Sequence, residues 1–338
     1  MKSPGIVTVD RGAEVIRCGG VCAFPTETVY GLGALALRGE CVAEVFRVKG
    51  RPANNPLIVH VESIGRARAL AEVWPERAEA LARRFWPGPL TIVVRRSPAV
   101  PSIVTGGGET VAIRLPDHPI ARELIRLVDA PIVGPSANRS GGVSPTAARH
   151  VIDSFGGTVP VIDGGECRTG IESTVVSVVG PTPLILRPGV VRAREVSEAL
   201  GESVSSARSD ATGDAPLQSP GLLRSHYAPR TPAVLLGRDD ALKLLRGPRS
   251  QRVALLSLTI TVGEAGGGIE VMPMPIDARE YARAIYAALR GADELLKQST
   301  GDEGSLIIIE RPRLGLVEED DLWEVILDRL SRACAPRD

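Results

Sequence analysis

Pro25-Thr26-Glu27-Thr28-Val29-Tyr30-Gly31-Leu32-Gly33 is answered, one helix further on, by Lys49-Gly50-Arg51-Pro52-Ala53-Asn54-Asn55-Pro56-Leu57. The first stretch is a polar loop between the apolar run Val21-Cys22-Ala23-Phe24, which reads as a buried strand, and a glycine turn. The second is a cationic loop at the end of residues 40–48, where Val42, Val45, Phe46 and Val48 fall near helical spacing and Gly50 with Pro52 stops the helix. Leu57-Ile58-Val59-His60-Val61 comes at once as a strand. Two polar loops anchored on buried strands predict a site for something small, polar and anionic.

Outward from this core, strands are expected at 34–37, 90–94, 111–115, 131–133, 159–162, 174–179 and 184–186. Helices are expected at 11–18, twice within 63–85, and at 119–128. In 111–115, Val111, Ile113 and Leu115 face one way and Thr110, Ala112 and Arg114 the other. Strands and helices alternate without a strict βαβ rhythm, so the fold class is α/β with a twisted mixed sheet and flanking helices. From 201 to 220 Ser, Asp, Ala, Gly and Thr dominate and periodicity vanishes, as in a linker. Strands at 233–236, 253–256 and 306–309, with helices at 278–292 (Tyr281, Ile285, Ala288 and Ala292 on one stripe) and 320–332, predict a smaller α/β unit with a parallel sheet. The expected domains are 1–200, a linker at 201–230, and 231–338, and 338 residues suit two cores better than one.

Forty basic residues balance forty acidic ones and aromatics make up 3%, which argues against a broad nucleic-acid surface or a stacking platform. Five cysteines with no CxxC pair argue against a disulfide framework or a zinc site and fit a reduced cytosol. No apolar h-region follows Met1 and no run approaches a membrane span, so a cytoplasmic protein is expected.

Gly31-Leu32-Gly33-Ala34-Leu35-Ala36 has the dinucleotide spacing but the wrong context: a strand follows the glycines, and Lys49 and Arg51 stand where an acid is needed. A turn before a strand explains it better. No GxxxxGK[ST] occurs. Lys49 and Arg51 either complement a helix C-terminus in solvent or clamp phosphates, and Asn54, Asn55, Pro52 and Pro56 support the second reading. Ser136 and Asn138 follow a strand end, where α/β folds place ligands, although turn chemistry alone also uses them. Arg114 needs a partner in so apolar a strand: a substrate carboxylate or a structural salt bridge. His60 is a satisfied core histidine or a site residue, and Asp163, Glu166 and Glu172 are the acids that polar loops could supply. No nucleophilic triad and no metal-spaced histidine pair is legible. The Lys49 side chain is expected to face solvent in the empty protein.

Taken together, these loops resemble the YrdC-like family, the threonylcarbamoyl-AMP synthases. The resemblance rests on Pro25 to Gly33, Lys49-Gly50-Arg51-Pro52 with Asn55 to His60, Trp86-Pro87-Gly88-Pro89-Leu90-Thr91, Pro135-Ser136-Ala137-Asn138 with Ser140-Gly141, Glu172-Ser173-Thr174-Val175 and Arg187-Pro188-Gly189. Ser225-His226-Tyr227-Ala228-Pro229 and the C-terminal α/β unit are similar to the long form, which adds a smaller Rossmann-like domain.

The resemblance implies that L-threonine, bicarbonate (or CO2) and ATP give threonylcarbamoyl-AMP and diphosphate. The product would pass to a downstream tRNA threonylcarbamoyl-transferase complex for t6A37 synthesis, with tRNA itself bound weakly or indirectly and no membrane partner. Carried over by position, L-threonine would meet Thr28, His60, Arg114 and Ser173. ATP would meet Lys49, Arg51, Asn55, Thr110, Ser136, Asn138, Ser144, Arg187 and Tyr227. Lys49 and Arg51 would be the catalytic cations, and Mg2+ would arrive on the ATP phosphates without dedicated protein ligands. Gly134 departs from relatives that carry a side chain there. The alternatives are a carbamoyltransferase-related domain, for which no acylphosphatase-like or zinc-bearing extension is seen, and an RNA-binding module without catalysis.

Overall fold

The computed structural model describes residues 5–207, 227–247, 251–297, 304–312 and 321–336. The chain divides into two compact units, one of residues 1–140 and 144–223 and one of 141–143 and 224–338. The central part of the expected linker, together with Ser225 and His226, lies outside the described residues.

The first unit is built on β1 (Ile6–Val7), β2 (Cys22–Phe24), β3 (Gly31–Leu35), β4 (Ile58–His60), β5 (Leu90–Arg95), β6 (Thr110–Arg114), β7 (Ile132–Val133), β8 (Val161–Ile162), β9 (Thr174–Ser177), β10 (Leu184–Arg187) and β11 (Ser205–Ser206). Among the described residues they form one sheet in the order β1-β8-β2-β3-β7-β4-β6-β5-β9-β10-β11. The sheet is mixed: β4 runs parallel to β6 and antiparallel to β7, while β5 is antiparallel to β6 and parallel to β9. Alternation sorts the side chains. Val59, Val111, Ile113, Ile92 and Val94 join the main core on one face. That core is closed by the helices Gly39–Lys49, Glu76–Phe85 and Ala148–Phe155 through Val42, Val45, Leu81, Ala82 and Val151. Ile58, Val93, Ala112 and Val175 form a smaller cluster apart from it. The helices Val9–Arg17 and Pro119–Val128 make a third cluster with Cys22, Phe24 and Ile132.

Local chemistry sets the boundaries. Helix Pro119–Val128 begins with proline at its first position, and His118 Nδ1 accepts from Ile120 N at 3.2 Å. Helix Gly39–Lys49 stops at Gly50, which takes a left-handed conformation (φ 62°) that delivers Lys49 and Arg51 to the following loop.

One expectation needs correction. The strand placed at 34–37 starts earlier, at Gly31, so the glycines are strand residues and not a turn. A Cβ on Gly31 would come within 2.9 Å of the Phe24 ring and one on Gly33 within 3.1 Å of the Cys22 carbonyl oxygen. The glycines let β3 lie close against the bulky side of β2. Helices Ala148–Phe155 and Ala193–Leu200 and the two-residue strands β1 and β11 were not foreseen.

The second unit carries β12 (Ala233–Leu236), β13 (Arg252–Ser257), β14 (Ile269–Pro273) and β15 (Ser305–Glu310), all parallel, in the order β12-β15-β13-β14. Helix Ala278–Lys297 buries Tyr281, Ile285, Leu289 and Ala292, with Leu289 taking the place expected for Ala288. Glu310, at the end of β15, accepts from Ser257 Oγ at 2.6 Å and from the backbone N–H of Leu258 and Thr259 at 2.9 and 2.8 Å. Among the described residues no helix is long and apolar enough to cross a membrane.

Candidate active site

The loop between β2 and β3 is wound around one hydroxyl. Thr26 Oγ1 accepts from the backbone N–H of Thr28 and of Val29, both at 3.2 Å, and donates to the Val29 carbonyl at 2.6 Å. With that proton committed, Thr28 must donate in the 2.8 Å contact between the two hydroxyls. Thr28 Oγ1 is then free to accept from Arg114 Nη1, at 3.0 Å. One fixed hydroxyl thus orients the next, and that one orients a guanidinium 86 residues away.

Arg114 ends β6 directly opposite His60 at the end of β4. Its Nε donates to the Gly88 carbonyl at 3.2 Å. Its Nη2 lies 2.7 Å from Glu27 Oε1, with both side chains only 4% exposed. The structural salt bridge weighed for Arg114 therefore exists, with a partner the sequence did not identify. The charges touch without alignment: among the described residues neither Glu27 oxygen nor Arg114 Nη2 makes a hydrogen bond. His60 Nδ1 is also buried without a hydrogen-bond partner among the described residues, and a Cβ on Gly134 would sit 2.7 Å from that ring. Three adjoining elements thus bring unmet polar groups together, as a binding site for a small zwitterion or anion would.

Burial, reinforced by the Arg114 charge, lowers the His60 pKa to about 3, so the imidazole is neutral at physiological pH. A depressed histidine pKa contributes stability that is present above the ordinary 6.5 and lost as pH falls toward the folded value. His60→Gln is expected to flatten the loss of stability between those two values. Urea midpoints measured against pH for both proteins check this, and parallel curves would refute it.

Lys49 corrects another expectation. It does not face solvent but is 2% exposed. Its Nζ donates to the carbonyls of Ser136 at 2.5 Å and Asn138 at 2.6 Å, which are 87 and 89 residues distant. Burial and, second, the Arg51 charge hold its pKa well below the ordinary lysine value. An ammonium has three donors. Two are spent on carbonyls, and no carboxylate is paired with Lys49 among the described residues. Arg51 is shaped by its own loop, donating from Nη2 to Asn55 Oδ1 at 2.6 Å and to the Pro56 carbonyl at 2.7 Å. Asn55 is fully buried and its Nδ2 has no partner among the described residues.

Ser173 links the two expected residue sets. It precedes β9, its Oγ lies 2.8 Å from Thr91 Oγ1, and Arg187 Nη2 donates to that same Oγ at 3.1 Å. Ser144 donates to Glu172 Oε1 at 2.7 Å, so this acid orients a loop residue. Thr110 opens the strand that Arg114 closes, roughly 13 Å away at strand rise. Ser136 and Asn138 present backbone carbonyls to Lys49.

Asp163 and Glu166 lie outside the set. Asp163 accepts from Gly165 N at 3.0 Å within its own turn, and Glu166 pairs at 3.5 Å with exposed Arg149. Tyr227 belongs to the second unit, where it is buried, stacks on Tyr286 at 5.4 Å and lies under the Arg329 guanidinium. The sequence reading missed Glu27, Thr26 and Thr91. All three stand inside stretches it had already singled out, next to residues it did assign.

Comparison with known proteins gives two family matches. Residues 14–189 match the Sua5/YciO/YrdC model described as telomere recombination, and residues 191–335 match the threonylcarbamoyl-AMP synthase C-terminal domain. The threonylcarbamoyl-AMP synthase of Pyrococcus abyssi is 41% identical over 89% of this chain and 92% of its own length. That of Bacillus subtilis is 38% identical over 90% and 91%. The crystal structure of P. abyssi Sua5 complexed with L-threonine superposes with a TM-score of 0.83 at 39% identity, covering 96% of this chain and 94% of that one.

Proposed function

This chain belongs to the threonylcarbamoyl-AMP synthase family, and on that premise we propose that it converts L-threonine, bicarbonate and ATP into threonylcarbamoyl-AMP and diphosphate. The observation that carries the reading is a fully buried lysine ammonium with no carboxylate paired to it among the described residues, two residues from an arginine. Desolvating such a charge costs several kcal/mol unless something anionic arrives. A nucleotide phosphate supplies that anion.

The chemistry asks little more of the protein. The carbamate of threonine is already a nucleophile, so attack on the α-phosphorus needs in-line placement and stabilisation of charge, and no triad. Thr28, His60, Arg114 and Ser173 form the amino-acid end. Lys49, Arg51, Asn55, Ser136, Asn138, Ser144, Arg187 and Thr110 form the nucleotide end. Lys49 and Arg51 offset charge as diphosphate departs. Mg2+ enters as part of the nucleotide substrate, carried on its phosphates. Among the described residues no three His, Cys, Asp or Glu side chains converge as a metal set. The product leaves for a tRNA-modifying transferase. Diphosphate release that depends on both threonine and bicarbonate tests the proposal, and release independent of threonine overturns it.

The buried lysine gives a second readout. Below its depressed pKa the folded protein carries the buried charge at full cost, and stability rises with pH between that value and the ordinary 10.5. In the same window a bound phosphate restores the ammonium, so ATP binding is expected to take up a proton. Titration calorimetry at mildly alkaline pH, in buffers of different ionisation enthalpy, measures it. Lys49→Met should remove the uptake, and buffer-independent heats in the native protein would refute it.

A further inference from the structure

Attack on the α-phosphorus makes no use of Glu27, yet Glu27 is buried in the site with both carboxylate oxygens lacking a hydrogen bond among the described residues. Its side chain is 4% exposed and touches one guanidinium. A buried carboxylate ordinarily accepts several. Arg114 Nη2 and His60 Nδ1 beside it are in the same condition. The unmet set is therefore one cation with a donor to spare, one anion with acceptors to spare, and a neutral ring nitrogen.

That set is the charge complement of an α-amino acid zwitterion. A substrate carboxylate completes Arg114, and a substrate ammonium completes Glu27. A salt bridge serving only to neutralise Arg114 would have no reason to leave both carboxylate oxygens without donors. Resting on the function proposed above, we propose that Glu27 is a catalytic residue that binds the α-ammonium of threonine and takes its first proton. The ammonium gives one proton to the Glu27 carboxylate and becomes a free amine. The amine lone pair forms the N–C bond to the bicarbonate carbon, the C–OH bond breaks, and the hydroxide leaves with the second N–H proton as water. The carbamate remains, and Glu27 later returns its proton to solvent.

The residue then sets specificity as well as reactivity, because an acid lacking the amino group leaves Glu27 buried against nothing. Binding is measured by calorimetry without ATP, using L-threonine and the 2,3-dihydroxybutanoate of matching configuration, which replaces the amine by hydroxyl. The native protein is expected to prefer threonine by on the order of 10²-fold, the scale for losing one partner of a buried charge pair. Glu27→Gln, with its fold verified by circular dichroism, is expected to bring the two ligands within about threefold of each other. It should also lower threonine-dependent diphosphate release when threonine is saturating. If Glu27→Gln weakens both ligands equally, or the native protein does not discriminate, the role assigned to Glu27 is wrong and the enzymatic reading stands. If the native protein binds no threonine at all, both fall.

Discussion

Lys49→Met is expected to reduce threonine-dependent diphosphate release by about 10²–10³-fold, the scale for losing one preorganised donor at a developing charge, while the protein stays folded. Methionine is the informative replacement because Lys49 is buried. Alanine would remove most of a packed side chain, and the resulting cavity would confuse loss of fold with loss of chemistry. Methionine keeps the stem, removes the charge and takes away the Lys49 hydrogen bonds to the carbonyls of Ser136 and Asn138, while the Ser136 carbonyl still accepts from the Asn138 N–H at 3.0 Å. The two stability effects oppose each other. Losing the two charge-assisted hydrogen bonds costs about 1.5–3 kcal/mol each, and relief of an unpaired buried ammonium returns several kcal/mol. A melting temperature near that of the native protein is therefore expected alongside the loss of activity. Diphosphate release and thermal unfolding on the same preparation check it. A variant that remains active would show that the ammonium serves only the two carbonyls.

Much of this was legible in local chemistry. The Lys49–Arg51 loop could be found because Gly50 must end a helix there and Pro52 and Pro56 must stiffen the residues beyond it. Strand ends carrying His60, Arg114 and Ser136 could be found because apolar runs stop at polar residues. The partner of each charge stayed hidden. Lys49 looked like a solvated helix terminus because the carbonyls that hold it come from a loop 87 and 89 residues on. They are brought close by a sheet order in which β7 lies between β3 and β4. Glu27 was one of several polar residues in the loop after β2, and nothing local says that its neighbour in space ends β6. The glycines of β3 misled for a related reason. Their small size serves close packing against Phe24 and Cys22, a fact about the neighbouring strand and not about a turn.

The Glu27–Arg114 pair makes the largest stability prediction. Removing one partner of a buried ion pair leaves the other charge uncompensated, at about 3–5 kcal/mol. Glu27→Gln and Arg114→Met are each expected to destabilise on that scale, which is survivable for a domain of ordinary stability. The two costs should not add, because the second change removes the charge that the first left stranded. The double variant Glu27→Gln/Arg114→Met is expected to recover most of the loss in chemical denaturation. Threonine binding should take the opposite course. Each single variant retains half of the zwitterion's complement, and the double variant retains neither, so it should be the more stable protein and the poorer binder. Stability and affinity moving apart in this way would separate a site built for a ligand from a salt bridge built for the fold. If the double variant regained both together, the pair would be structural. If its stability loss were the sum of the two singles, the 2.7 Å contact between Glu27 and Arg114 would carry no coupling at all.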